Sequence, residues 1–61
     1  MKYEVVYFSG KVEYLHSKDE VEELVDDLEL GNRFDVSQIV DVSKSKIKTI
    51  WTDEEGLLVV L

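Results

Sequence analysis

The segment SKDEVEELVDDLELGN, residues 17–32, decides the fold of this chain. Ser17 is a preferred helix N-cap residue, and Glu20 three positions later completes a capping box. Gly31 and Asn32 are the residue types that commonly end a helix in the left-handed conformation. At about 100° per residue, four apolar side chains cluster on one face: Val21, Leu24, Val25 and Leu28. The pattern predicts an amphipathic helix from about Lys18 to Leu30 that buries this face.

The residues before the helix predict a β-hairpin. Residues 2–8 and 11–16 are rich in β-branched and aromatic side chains, and Ser9-Gly10 between them suits a two-residue turn. With that turn, Tyr7 lies opposite Val12 and Val5 lies opposite Tyr14. Side chains alternate between the two faces of a strand. The predicted core face of the hairpin therefore consists of Tyr3, Val5, Tyr7, Val12, Tyr14 and His16.

Three strands are predicted after the helix. The first runs from about Gln38 to Val42, with a short helical turn capped by Asp35 as the alternative reading of residues 36–42. A strand over residues 46–52, a turn over residues 53–56 and a strand over residues 57–61 follow. The element order is ββαβββ. We therefore expect one α+β domain over residues 1–61, with an antiparallel-rich sheet of four or five strands and one amphipathic helix packed on it.

Composition narrows the class of function. The 61 residues contain 14 acidic and 7 basic side chains and no cysteine, for a net charge of −7. A charge of this sign disfavours direct binding to nucleic acid phosphates or to an anionic membrane. The longest apolar run is far shorter than the ~20 residues that span a bilayer, and the N-terminus does not resemble a signal peptide. Because nothing directs export, we expect a cytoplasmic protein.

Catalytic and metal-binding patterns are missing from the sequence. His16 is the only histidine, and the three glycines do not form a phosphate-binding motif. The acidic turn over residues 53–55 lacks the alternating spacing of a calcium loop. We therefore expect no enzyme activity, no cofactor and no metal.

Seven of the 14 acids lie within eleven residues of the predicted helix and fill the side opposite its apolar face. We call this set the acidic ridge: Asp19, Glu20, Glu22, Glu23, Asp26, Asp27 and Glu29. At ~1.5 Å per residue it places about one charge every 2 Å, close to the ~1.7 Å axial charge spacing of duplex DNA. Like charges three and four residues apart cost on the order of 1.5–3.5 kcal/mol at low salt. The ridge is either a solvated helix face or a selected binding surface, and for the second hypothesis the predicted partner-binding residues are Glu22, Glu23, Asp26, Asp27 and Glu29.

A stripe of lysines alternates along the predicted fourth strand. Lys44, Lys46 and Lys48 project on one side of an extended chain, while Ile47 and Trp51 project inward on the other. Lysines on an exposed strand guard against edge-to-edge aggregation, and this is the simpler interpretation. A basic stripe for nucleic acid, with Trp51 as a stacking platform, is the alternative.

The C-terminal strand predicts self-association. This strand has no polar face, because it consists of Leu57, Leu58, Val59, Val60 and Leu61. Such a strand needs other residues packed on both of its sides. One helix covers only one side of a sheet. We therefore expect a homodimer with these five residues at the interface.

Together these patterns predict a non-catalytic, regulatory or inhibitory module that binds another protein through the acidic ridge. A first alternative is a nucleic-acid mimic, of phage or mobile-element type, that blocks the DNA or RNA site of a basic partner. A second alternative is a small nucleic-acid-binding protein that uses the stripe of Lys44, Lys46 and Lys48.

Overall fold

The computed structural model describes residues 1–43 and 45–60, and within them one helix packs on a five-stranded sheet. The elements are β1 (Tyr3–Tyr7), β2 (Val12–Leu15), α1 (Lys18–Glu29), β3 (Val36–Asp41), β4 (Lys48–Thr52) and β5 (Gly56–Leu57). Neighbouring strands are antiparallel, in the order β2-β1-β3-β4-β5. The predicted order ββαβββ and the α+β class are confirmed, and residues 36–41 form a strand rather than a helical turn.

The ends of α1 are those that its sequence predicts. The Ser17 hydroxyl accepts a hydrogen bond from the Glu20 backbone N–H at 3.1 Å, which satisfies one of the free donors of the first turn. At the other end Gly31 has φ 78°, and the Asn32 N–H donates to the Asp27 carbonyl at 2.9 Å. Together with the bond from the Gly31 N–H to the Leu28 carbonyl at 3.3 Å, this bond forms a Schellman motif. Local sequence is therefore sufficient to start and stop this helix.

The hairpin of β1 and β2 has a different turn from the predicted one. The Tyr7 N–H donates to the Lys11 carbonyl at 2.9 Å, and the Gly10 N–H donates to the Tyr7 carbonyl at 3.0 Å. The loop therefore contains three residues, 8–10, with Gly10 in the left-handed conformation at φ 93°.

The longer turn shifts the pairing of β2 by one residue. Val5 lies opposite Glu13, and Val6 lies opposite Val12. The predicted register is wrong, and a slip of one residue turns every side chain of the strand to the other face of the sheet. Tyr3 and Val5 are buried against the helix as expected, whereas Val12 and Tyr14 point away from it and are 43% and 46% exposed.

The core lies between α1 and one face of the sheet. Its buried side chains are Tyr3, Val5, Val21, Leu24, Val25, Val36, Ile39, Ile50 and Trp51. Ile39 pairs with Trp51 and Val40 pairs with Thr49, so Ile50 is an extra residue in β4. This β-bulge allows the consecutive residues Ile50 and Trp51 both to be buried on the helix side.

The opposite face of the sheet has no helix on it, and we call it the open face. Strand alternation and the observed pairing place on it Lys2, Glu4, Val6, Val12, Tyr14, Gln38, Val40, Thr49 and Thr52. The ammonium group of Lys2 lies 4.4 Å from the centre of the Tyr14 ring. Among the residues described, no second layer covers this face.

Candidate functional site

The acidic ridge lies on the solvent side of α1. Burial of Val21, Leu24 and Val25 against the sheet directs the opposite side of the helix outward. All seven ridge residues are exposed. The helical geometry predicted from the apolar spacing is thus confirmed, and the ridge follows from it.

Among the described residues, no base forms an ion pair with the carboxylates of the ridge. Within residues 1–43 and 45–60, the ion pair found is Arg33–Asp35, whose charged atoms are 2.8 Å apart and which lies outside the helix. The last turn of α1 contains no basic residue. The ridge therefore presents free carboxylate oxygens to solvent, where a partner can reach them. They belong to Glu22, Glu23, Asp26 and Asp27.

Glu29 has a role that the sequence did not indicate. Its Oε1 atom accepts a hydrogen bond from the indole Nε1 of Trp51 at 3.2 Å. The Trp51 side chain is buried, and a buried indole N–H requires an acceptor. Glu29 thus serves the fold, while the other four predicted partner-binding residues have no such internal contact among the described residues.

A shallow groove separates the ridge from the C-terminal segment. It has a volume of about 240 Å³ and is lined by Glu22, Val25, Asp26, Leu57 and Val60. Two sets of residues that the sequence analysis treated as separate surfaces, the ridge and the C-terminal strand, therefore meet here. The result is an apolar floor with carboxylates along one wall.

The C-terminal segment is less regular than predicted. β5 contains only Gly56 and Leu57, and the N–H groups of Leu58 and Val59 both point to the carbonyl of Ile50, at 2.8 and 3.4 Å. Val59 packs on the core, whereas Val60 is 91% exposed. The predicted strand over residues 57–61 is wrong for residues 58–60, because the chain bends at this paired carbonyl, and Leu61 lies outside the described residues.

The lysine stripe is not formed as predicted. β4 begins at Lys48, and residues 45 and 46 form bends rather than an extended strand, so Lys46 and Lys48 do not alternate along one strand. Lys44 lies outside the described residues. Ile47, predicted to point inward, is 74% exposed, while Trp51 is buried as predicted and has no free ring face for a base.

A cluster around Tyr7 was missed by sequence reasoning. The Tyr7 hydroxyl donates to Glu13 at 2.9 Å, and the side chains of Lys11 and Arg33 lie 5.6 and 5.9 Å from the centre of its ring. Burial raises the pKa of the Tyr7 phenol, and Glu13 adds to this increase while Arg33 opposes it. The cluster joins β1, β2 and the loop before β3, so no local pattern could have revealed it.

Arg33 and Asp35 form a forked pair at the edge of this cluster. The guanidinium donates two hydrogen bonds to the carboxylate, at 3.1 and 2.8 Å. These bonds lower the pKa of Asp35 below its usual 3.8. Because the folded pKa lies below the unfolded one, the pair stabilises the fold above about pH 4, and this contribution is lost as the pH falls through the lowered value.

The described residues form neither a metal-binding cluster nor a membrane-spanning helix. They contain no group of three or more His, Cys, Asp or Glu side chains arranged to hold a metal ion. No helix among them is long and apolar enough to cross a membrane.

Comparison with known protein families, with curated proteins and with solved structures finds no match to this chain.

Proposed function

We propose that this chain is a non-catalytic protein-binding module whose acidic ridge binds a basic surface of another protein. The observation that carries the proposal is the absence of internal partners, within the described residues, for the carboxylates of Glu22, Glu23, Asp26 and Asp27. Their mutual repulsion costs stability at low salt. A partner that supplies positive charge converts this cost into binding free energy.

The groove beside the ridge supports a partner of particular chemistry. Lysine and arginine side chains have apolar stems and a charged end. Such a stem fits against Val25, Leu57 and Val60, while the charged end reaches the carboxylates of Glu22 and Asp26. The surface therefore suits a helix or loop that alternates basic and apolar residues better than it suits a free metal ion or a nucleic acid.

A capture experiment with two matched variants tests the proposal. The ridge variant is E22Q/E23Q/D26N, and the control is D53N/E54Q/E55Q in the exposed turn after β4, so that both lose three negative charges. Each protein is immobilised at low density and exposed to source-cell lysate at about 50 and about 300 mM NaCl, and bound proteins are identified by mass spectrometry. We expect basic proteins that the unmodified chain and the control capture at low salt and that the ridge variant does not.

Two outcomes would count against the proposal. Capture of the same proteins by the ridge variant would remove the ridge from the binding site. Equal loss with both variants would mean that net charge, rather than the ridge, causes the binding.

Nucleic-acid mimicry is the second candidate, and the charge spacing of the ridge favours it. Seven carboxylates over about 15 Å approach the linear charge density of duplex DNA, and all seven are exposed. In that case the partner is itself a DNA- or RNA-binding protein. Duplex DNA added to the captured complex then displaces the chain, whereas a partner whose basic surface is not a nucleic-acid site keeps it bound.

A further inference from the structure

The open face of the sheet carries apolar side chains that the fold leaves uncovered. Val6, Val12 and Tyr14 lie side by side on β1 and β2, and Val12 and Tyr14 are exposed. Val40 lies next to them on β3 but is itself buried. Phe8, at the end of β1, is 60% exposed. α1 occupies the other side of the sheet, and no second layer among the described residues covers these side chains.

The charge of the open face is balanced, unlike that of the rest of the molecule. The open face carries one cation and one anion, Lys2 just before β1 and Glu4 within it, while the acidic ridge lies on the far side of the sheet. In a twofold-symmetric dimer the same patch appears on both partners, so the patch must be compatible with itself. The ridge does not satisfy this condition, because its carboxylates would face the same carboxylates of the second copy. The open face does satisfy the condition.

The two ends of the sheet carry opposite charges. Lys2 precedes β1 and Lys46 precedes β4, and the antiparallel topology places both at the same end of the strands. The acidic turn of Asp53, Glu54 and Glu55 follows β4 at the other end, where it lines a shallow groove with Phe8. Lys11 and the Arg33–Asp35 ion pair also lie at this end, and the three acids of the turn leave it negatively charged. A second copy packed with its strands reversed therefore brings each acidic turn against the lysine end of the other copy.

We propose that a second copy of this chain packs on the open face, related by a twofold axis that runs across the strands. Sheets packed face to face lie about 10 Å apart, and each helix lies about one helix diameter beyond its own sheet. The two acidic ridges then point outward and are on the order of 30 Å apart, well beyond the ~8 Å screening length at physiological salt. Self-association by this face avoids the repulsion that the net charge of −7 would otherwise cause.

This interface differs from the one that the sequence analysis predicted. Leu57 and Val60 lie beside Glu22 and Asp26, so dimerisation through the C-terminal segment would bring two acidic ridges together. The open face avoids this and offers strands about 17 Å long over a width of about 20 Å. Two such faces cover about 700 Å², the size of weak and transient interfaces, so we expect a dimer that forms toward the upper end of the protein concentrations tested below.

Sedimentation equilibrium of the full chain between about 1 and about 500 µM, at physiological salt, tests the interface. V12E and Y14E each place a charge on the open face, and L30E makes the same change at an exposed apolar residue on the helix side. We expect V12E and Y14E to raise the dissociation constant at least about tenfold, because a charge is buried without a partner, and L30E to change it less than about twofold. Far-UV circular dichroism of each variant checks that it remains folded.

A monomer over the whole concentration range would overturn the proposal. So would a dimer that L30E weakens as much as V12E and Y14E do, because its interface would then not be confined to the open face.

A charge exchange tests the reversed orientation of the strands. E54K changes the net charge from −7 to −5 and would strengthen any association that is opposed only by general repulsion. In the proposed dimer E54K instead weakens association about two- to fivefold, as K46E does, because each removes contacts between opposite charges at the rim. The combined K46E/E54K chain restores the original net charge and, we expect, the original dissociation constant. Stronger association of E54K, or no recovery in the combined variant, would overturn the reversed arrangement.

Discussion

At the scale of single residues, Glu29 carries a negative charge in the last turn of α1, where the helix dipole disfavours an anion. Its carboxylate accepts the hydrogen bond from the Trp51 indole at 3.2 Å. A buried N–H without an acceptor costs about 1–3 kcal/mol, whereas an unfavourable charge at a helix end costs about 0.3–1 kcal/mol. The hydrogen bond outweighs the dipole, which explains an acid at this position without reference to a binding partner.

We predict that E29A lowers the free energy of unfolding by about 1 kcal/mol, because the indole loses its acceptor. E22A is the matched control, since it removes the same charge from the same helix without removing a hydrogen bond, and we expect it to be neutral or slightly stabilising. E29Q keeps an acceptor oxygen and is expected to fall between the unmodified chain and E29A. Urea unfolding followed by fluorescence of Trp51, the only tryptophan, measures all three, and equal stability of E29A and E22A would contradict the prediction.

At the scale of elements, the turn between β1 and β2 determines which face of β2 meets the core. The three-residue loop places Gly10 at φ 93°, and no atom lies within 4 Å of where a side chain would begin. Any penalty for a substitution here therefore arises from the backbone conformation and not from a clash. The whole register of the hairpin depends on this one conformation, because Gly10 closes the loop through its hydrogen bond to Tyr7.

We predict that G10A lowers the free energy of unfolding by about 1 kcal/mol, the cost of a left-handed conformation for a residue with a side chain. G10N is expected to cost less, since asparagine tolerates that conformation. Urea unfolding of both variants checks the order. Wild-type stability of G10A would mean that the turn can adopt a conformation other than the one observed.

At the scale of the whole molecule, charge is distributed unevenly. The acidic ridge is on one side of the sheet, and the open face, whose positive and negative charges balance, is on the other. The ridge side therefore repels the ridge side of a second copy, whereas two open faces do not repel each other. Screening by salt weakens the repulsion within the ridge, because its charges are exposed.

We predict that raising NaCl from about 20 to about 300 mM, at fixed protein concentration, increases the melting temperature by about 5 °C. This corresponds to about 1 kcal/mol of relieved repulsion in a domain of this size. Differential scanning calorimetry measures the shift, and the E22Q/E23Q/D26N variant is expected to show about half of it. A melting temperature that falls with salt would show that attractive ion pairs dominate instead.

Sequence alone determined the elements whose signals are local. Ser17, Glu20 and Gly31 set the ends of α1, and the spacing of its four apolar residues set the buried side, so the position of the acidic ridge followed. The order of the elements along the chain and the antiparallel-rich character of the sheet also followed from short apolar segments separated by turn residues, whereas the place of β1 between β2 and β3 did not. These features depend on interactions between residues close together in the chain, and the spacing of residue types in the sequence predicts such interactions.

Only the tertiary structure decided the register of β2, the path of the C-terminal segment and the role of Glu29. Ser9-Gly10 is compatible with loops of two or three residues, and the choice between them turned Val12 and Tyr14 from the core to the open face. Likewise, the bond from Trp51 to Glu29 joins residues 22 positions apart. The physical reason is the same in each case: local conformations of similar energy were available, and packing between distant segments selected one of them.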